Sequence, residues 1–409
     1  MHFNLLPAPL VSRGVGGINK FYFLLLPAPL VLRGVGGIYK FFLPYNMKRR
    51  YSLIKTLIIF LTALVLGAVS LIAFNWLKAH PATVTEVYRP FSRSVLGAMS
   101  GFWSFVPFSA AEVLLYALIL GAVCFLVRLI WVLISGDAPR LKYLLRKISV
   151  LLLIAVVAVS SYYALWGMNY FGLTLGTELG LDVKKRSSAE LCELAEYLCE
   201  RTNELSLLVE RDGTGAFSPE YTFEYFADEV AREFSEYSGR EEKPAKYVIW
   251  SSGLSEFRTT GIFVAYTGEA NVNRDNYVSS LPFCMAHETA HRYAVAREDE
   301  ANFMAFLVLW DAEDPALAYS VHLAALRYTQ SQLSSADREA FLEVSRKYND
   351  LVRYDNQKYS EYWSQFEGKA AEVSQKTNNA YLSVNGQSDG TRSYGRMVDL
   401  LLAWYGERD

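Results

Sequence analysis

The chain of 409 residues carries little charge and no real excess of either sign: 40 basic against 42 acidic residues, net −2, with 20% of positions charged. That balance gives no electrostatic reason to expect nucleic acid as a partner. Cysteine is scarce as well. There are four, none in a CxxC pair, and Cys192 and Cys199 stand two turns apart on a predicted helix. Two turns rise ~10.5 Å, beyond the ~7 Å Cα separation a disulfide tolerates, so all four read as free thiols. Histidine is rarer than usual, at five. What is abundant is apolar surface: 52% hydrophobic and 14% aromatic residues, with a mean hydropathy of +0.12. Such a composition excludes a disordered or collagen-like chain and suggests that part of the chain lives in lipid.

Residues 6–19 (LPAPLVSRGVGGIN) and 26–39 (LPAPLVLRGVGGIY) are near-copies at a period of 20. A stable solenoid needs at least about three repeats, and only two occur. Met47-Lys48-Arg49-Arg50 follows, then an apolar run, which is how a membrane protein would open. Residues 1–46 therefore read as translated upstream sequence or a disordered tail, with Met47 as the expected start.

Three apolar stretches come next, expected as spans at about 54–77, 111–135 and 148–169. Thr56 to Leu77 holds no charge, enough to cross a ~30 Å hydrocarbon core. The second run is interrupted by Arg128, which can snorkel. Basic residues gather before the first span (Lys48, Arg49, Arg50, Lys55) and between the second and third (Arg140, Lys142, Arg146, Lys147). The positive-inside rule places both clusters in the cytoplasm. The expectation is a multi-pass protein of the cell membrane, residues 47–169 in the bilayer and 170–409 an extracytoplasmic domain.

That C-terminal stretch has the composition of an ordinary globular domain, large enough for a sizeable core. Ser187 and Glu190 form a capping-box pattern for a helix through about Glu210. Ser218-Pro219 reads as a second helix start. Tyr247–Ser251 and Gly261–Tyr266 read as short strands, and from Leu281 to Trp404 the pattern is almost wholly helical. The expected class is α+β, mostly helical.

The chemistry is concentrated at His287-Glu288-Thr289-Ala290-His291. On a helix, i and i+4 share a face, so both imidazoles can reach one metal with Glu288 beside it. Zinc takes nitrogen and oxygen ligands and, in catalytic sites, keeps one position for water, whose proton a neighbouring glutamate accepts. By composition this pentad arises by chance on the order of once in a few hundred such chains. The third ligand is expected from Arg297-Glu298-Asp299-Glu300-Ala301-Asn302: Glu298 shares a helical face with Asn302, whereas Glu300 points ~200° away from Glu298. Glu298 is preferred and Glu300 is the alternative. Tyr319 is a candidate donor to the developing oxyanion. The strand 261–266 is a candidate edge for peptide addition, and the polar run Thr267, Glu269, Asn271, Asn273 is a candidate cleft lining.

The HExxH helix followed by Glu-x-x-Ala-Asn resembles the gluzincin class of zinc peptidases. More specifically, the chain resembles a bacterial membrane-protein family, domain-of-unknown-function family 3810. The resemblance rests on Trp166-Gly167-Met168-Asn169-Tyr170, on Thr267-Gly268-Glu269-Ala270-Asn271-Val272-Asn273, on the run His287 to Phe303, and on Ser393-Tyr394-Gly395-Arg396-Met397-Val398-Asp399. It implies three spans and a gluzincin-like zinc-peptidase domain, with no substrate attached. The family usually has Gln-x-Gly after the second histidine, where this chain has Arg292-Tyr293-Ala294.

The leading expectation is thus a membrane-anchored metallopeptidase with Zn2+ held by His287, His291 and Glu298, Glu288 as general base, and a protein or peptide substrate. Its rivals are a zinc-binding pseudoenzyme that senses or binds an envelope partner, and a metal-free membrane scaffold. Because HETAH lies far along the chain from every apolar run, the sequence argues against a site inside the bilayer.

Overall fold

The structure, a computed structural model, describes residues 52–407 apart from 137, 185, 219 and 388–395. The duplicated segment 1–46 and the expected start at Met47 lie outside the described residues.

Helix α1 (Leu53–Lys78) is followed by a helical turn at Pro81–Thr83, a π-helical stretch at Val84–Tyr88 and helix α2 (Arg89–Trp103). Helices α3 (Ala110–Ser135) and α4 (Arg140–Leu165) come next. Three of these, α1, α3 and α4, are long and apolar enough to cross a membrane, at 26 residues each, or ~39 Å at 1.5 Å per residue. Such helices suggest association with a lipid bilayer. Helix α3 starts where Ser109 accepts a hydrogen bond from the Glu112 amide and stops at Gly136, which takes the left-handed conformation (φ 69°) of a C-cap. Helix α4 begins at Arg140, earlier than the expected 148, because nothing after Pro139 breaks the basic stretch that precedes Ile148. It ends at Leu165 rather than 169, where Gly167–Phe171 tightens into a 3-10 helix. Helices α1 and α4 lie side by side with Gly67 facing Val156, the small residue allowing close approach.

No linker separates these helices from the rest. The Ala110 and Ala111 amides, at the head of α3, donate to the Glu269 carboxylate at 3.2 and 2.8 Å. In return Glu112 accepts from the Ile249 and Trp250 amides at 2.6 and 3.0 Å. A carboxylate at a helix N-terminus also meets the positive end of its dipole.

The C-terminal part is mostly helical with one small sheet. Helix α5 (Ser188–Ser206) carries the expected Ser187/Glu190 capping box and stops short of Glu210. Helix α6 (Phe223–Ser238) is capped by Thr222, whose hydroxyl accepts from the Tyr225 amide, so it starts later than Ser218-Pro219 suggested. Strands β1 (Lys246–Tyr247), β2 (Gly261–Val264) and β3 (Glu269–Val272) form a sheet in the order β1-β3-β2, with β1 parallel and β2 antiparallel to β3. The expected strand 247–251 is cut to two residues because Ser251 hydrogen-bonds back to the Val248 carbonyl and opens a short helix, Ser251–Glu256. The β2–β3 turn holds Gly268 at φ 66°, where a Cβ would sit 2.3 Å from the Leu96 carbonyl oxygen of α2. Only glycine fits that turn against that helix.

Helices α7 (Leu281–Arg292), α8 (Glu298–Leu309), α9 (Pro315–Ala336), α10 (Arg338–Arg346), α11 (Asp350–Ser364), α12 (Lys369–Val384) and α13 (Arg396–Tyr405) complete the chain. The core lies where α6, α8 and α9 surround α7 and α5 packs on α9, with Leu198, Phe226, Met285, Phe303, Phe306 and Leu323 fully buried. Truncating one of those phenylalanines to alanine costs roughly 3–5 kcal/mol. Candidate residues on α7 and α8 therefore stand on a rigid base.

Candidate metal centre

Helix α7 opens with Pro282 in its first turn, whose missing amide hydrogen costs nothing there. It closes at Ala294, where φ is +66°. The Val295 amide reaches back to Ala290 O at 3.1 Å and the Ala294 amide to His291 O at 2.9 Å. This is a left-handed helix exit that normally takes glycine, and it is the position where the expected family pattern has glycine. The exit is clamped from outside. Buried Arg292 donates to Glu242 at 3.0 Å and to Ser100 at 3.3 Å, and Arg93 donates to Tyr293 O at 3.1 Å while stacking on its ring at 3.5 Å. Both Arg93 and Ser100 belong to α2.

The tight exit brings α8 back against α7. One ligand atom each from His287, His291 and Glu298 falls within 4.8 Å of the others. His287 Nε2 is 3.4 Å from Glu298 Oε2, and His291 Nε2 is 3.7 Å from Glu298 Oε1. Two ligands at tetrahedral angles around zinc lie ~3.3 Å apart, so the donor set fits that ion in spacing and in chemistry. His291 Nδ1 stands 2.8 Å from the Val295 carbonyl. A carbonyl only accepts, so Nδ1 carries the hydrogen and the Nε2 lone pair faces Glu298. Burial pushes the His291 pKa down to about 4, which keeps that lone pair free. Burial also acts to lower the His287 pKa, but its hydrogen bond to Glu298 and the charges of Glu288 and Glu298 together outweigh it, and the net direction is upward. Asn302 adds a polar contact to His287, and both face a smaller cavity behind α7.

Glu300, the alternative third ligand, points elsewhere. Its carboxylate accepts from the Leu175 amide at 3.0 Å and from Arg297 at 2.8 Å, and it is buried.

Glu288 is buried beside the three, with its carboxylate over β2. Burial raises its pKa to about 8; His287 opposes the rise and the Glu298 charge adds to it. The cleft in front of these residues has a volume of about 1280 Å³. One wall is β2, an edge strand of the sheet, and another is α12. Tyr162, Trp166 and Tyr170 line the end nearest α4.

Several expectations are corrected by these positions. Tyr319 is fully buried and is absent from the cleft lining; its hydroxyl donates to Asp355 at 2.6 Å, beside the Arg211–Asp355 ion pair at 2.8 Å. The polar run is not a cleft lining either: Thr267, Glu269, Asn271 and Asn273 are all buried. Glu269 holds the head of α3 and Lys246, and Asn273 ties Ser255 and Thr259 to the sheet. And although HETAH is remote from the apolar runs in sequence, the Trp166 indole N–H, just past α4, donates to the His291 carbonyl at 3.0 Å.

Tyr381 on α12 is the residue the sequence did not single out. Its hydroxyl lines the cleft, lies 2.5 Å from that of Tyr162, and accepts from Tyr170 at 3.3 Å. Tyr170 donates into it, the contact with Tyr162 can run in either direction, and burial holds its pKa above the ordinary phenol value. Nothing in the local sequence, a polar helix of unremarked pattern, marks it; its partner Tyr170 did fall within a motif.

No curated protein and no solved structure matches the chain. Residues 85–402, from the π-helical stretch before α2 into α13, match the model of a family described as "Protein of unknown function (DUF3810)", and the chain belongs to that family.

Proposed function

We propose that the protein is a membrane-anchored zinc metallopeptidase, with Zn2+ held by His287, His291 and Glu298 and with Glu288 as general base. The observation that carries this reading is the convergence of three nitrogen and oxygen donors at tetrahedral spacing beside a fourth, buried carboxylate that is not part of the set. A purely structural ion needs no such base, which favours an enzyme over a zinc-binding pseudoenzyme.

Zinc bound there supplies a Lewis acid to the peptide carbonyl and to the attacking water. The chain's own groups do the rest. An extended substrate pairs with the free edge of β2, which sets its carbonyl across from the histidines. Glu288 takes the proton of the attacking water and returns it to the leaving amine. Tyr381, a neutral donor at the cleft wall, hydrogen-bonds the oxygen on which charge develops. Trp166 and His291 Nδ1 position rather than react.

The cleft is assigned to the extracytoplasmic side. Arg140, Lys142, Arg146 and Lys147 occupy the end of α4 remote from Trp166, and the positive-inside rule puts that end in the cytoplasm.

The test uses the full chain purified in detergent. Metal analysis is expected to give one zinc per chain, and hydrolysis of a denatured protein is expected to vanish in Glu288→Gln while zinc is retained. Zinc without Glu288-dependent hydrolysis would leave the pseudoenzyme; no zinc at all would leave a scaffold.

A further inference from the structure

The cleft opens beside the ends of the apolar helices rather than away from them. Tyr162, in the last turn of α4, and Trp166 just beyond it form its inner end. The turn that leaves β2 carries Tyr266 directly to α4, where its hydroxyl donates to the Ala158 carbonyl at 2.5 Å. Ala158 lies about two turns inside the end of that helix, so one end of the edge strand rests on the upper part of a candidate span.

The neighbouring surface has the composition of a bilayer interface. Phe102 and Phe105, just ahead of α3, are 67% and 73% exposed, and Ile249 and Trp250, whose amides cap α3 through Glu112, are 54% and 57% exposed. Trp and Tyr at span ends mark the headgroup level, and Phe beside them inserts into the apolar boundary. Four exposed apolar side chains gathered at one helix end are costly in water and at home there.

We infer that the substrate of this site is the juxtamembrane segment of a second, membrane-anchored polypeptide, cut a few residues outside that polypeptide's own span. The inference rests on the peptidase reading. A segment paired with β2 runs from Tyr266, at the bilayer, toward Gly261, which faces Glu288. Those positions are five residues apart, of which only Gly261–Val264 is strand, so they are at most ~17 Å apart at ~3.3 Å per residue. The bond opposite Glu288 therefore lies about five residues from the membrane surface. Hydrolysis adds water across that bond and leaves a new carboxylate and a new amine, one of them still attached to the anchor. Anchoring in the same bilayer also raises the effective concentration of the segment at the cleft.

The experiment places the full-length protein, zinc-loaded, in phospholipid nanodiscs with a single-span peptide bearing a 25-residue unstructured polar tail, or with the same tail free in solution. Cut positions are read by mass spectrometry. Cleavage of the anchored tail should be at least about tenfold faster. Its cuts should cluster at a fixed distance from the span and stay at that distance when a ten-residue Gly-Ser spacer is inserted next to the span. Equal rates for the free tail, or cuts that move outward with the spacer, would overturn the inference while leaving the peptidase reading intact. A second readout does not need turnover: Ile262→p-benzoylphenylalanine, at an exposed position of β2, combined with Glu288→Gln, should photo-crosslink the anchored tail in preference to the free one. That crosslink without hydrolysis in the wild type would keep the membrane-proximal binding site and discard the peptidase. No preferential crosslink would overturn the inference.

Discussion

The carboxyl group of Glu288 occupies the space that any side chain at Gly261 would need: a Cβ there would lie 2.5 Å from Oε1 and 2.7 Å from Cγ. The edge strand and the proposed base are thus fitted to each other, and the glycine is required by a neighbour rather than by its own backbone angles. Gly261→Ala must push Glu288 aside or move the strand. A displacement near 1 Å at a reacting group costs about 100-fold in rate. The expected outcome is a loss of kcat of about that size with zinc content unchanged, checked by metal analysis beside steady-state kinetics. An alanine variant with full activity would show that the reaction does not depend on the observed fit of Glu288 against the strand.

At the exit of α7, Ala294 holds φ +66° in a buried position. An L-residue pays ~1–2 kcal/mol in this region, and glycine recovers most of it less its greater unfolded-state entropy. Ala294→Gly should stabilise the protein by about 0.5–1 kcal/mol, a rise in Tm of ~1–4 °C for a domain of this size, measured by thermal unfolding in detergent. The zinc stoichiometry should not change.

Glu298 and Glu300 separate by function. Glu298→Ala should abolish zinc binding, because two histidines alone do not hold a three-ligand site. Glu300→Ala should keep zinc and instead lose about 2–3 kcal/mol, since Arg297 and the Leu175 amide are left without their acceptor, discounted for the partial exposure of Arg297. Metal analysis and unfolding curves on both variants check the pair. Zinc retained in Glu298→Ala and lost in Glu300→Ala would reverse the assignment.

What the sequence could reveal of this site follows from range. The His287/His291 pair is legible because i,i+4 on a helix is a local rule, and Glu298 because it shares a helical face with Asn302. The capping box at Ser187 and the apolar helices are legible for the same reason. The contacts that position the site against the N-terminal helices are not. Trp166 meets His291, and Arg93 meets Tyr293, across more than a hundred residues, and no periodicity reports such pairs. Polarity also misled. Glu269, Asn271 and Asn273 look like cleft residues in a linear reading, yet each is buried and spends its hydrogen bonds on backbone and on the head of α3. A buried polar residue and a cleft residue have the same letter; only the partner distinguishes them.

Tyr319 and Tyr381 make the sharpest contrast, because both are tyrosines within reach of carboxylates and only one faces the cleft. Tyr319 gives its proton to Asp355, itself fully buried and paired with Arg211. Removing that hydroxyl leaves a buried charge short of a donor, so Tyr319→Phe should cost about 1–3 kcal/mol of stability and leave kcat and KM unchanged in the folded protein. Tyr381 sits on the cleft wall among Tyr162 and Tyr170. Tyr381→Phe should lower kcat by roughly 100- to 1000-fold, the usual loss for one oxyanion donor, with little change in KM, zinc content or Tm. Steady-state kinetics and thermal unfolding on the two variants decide the matter. Should Tyr319→Phe be the one that loses turnover at unchanged stability, the oxyanion donor would lie on α9 and the assignment of the cleft wall to α12 would be wrong.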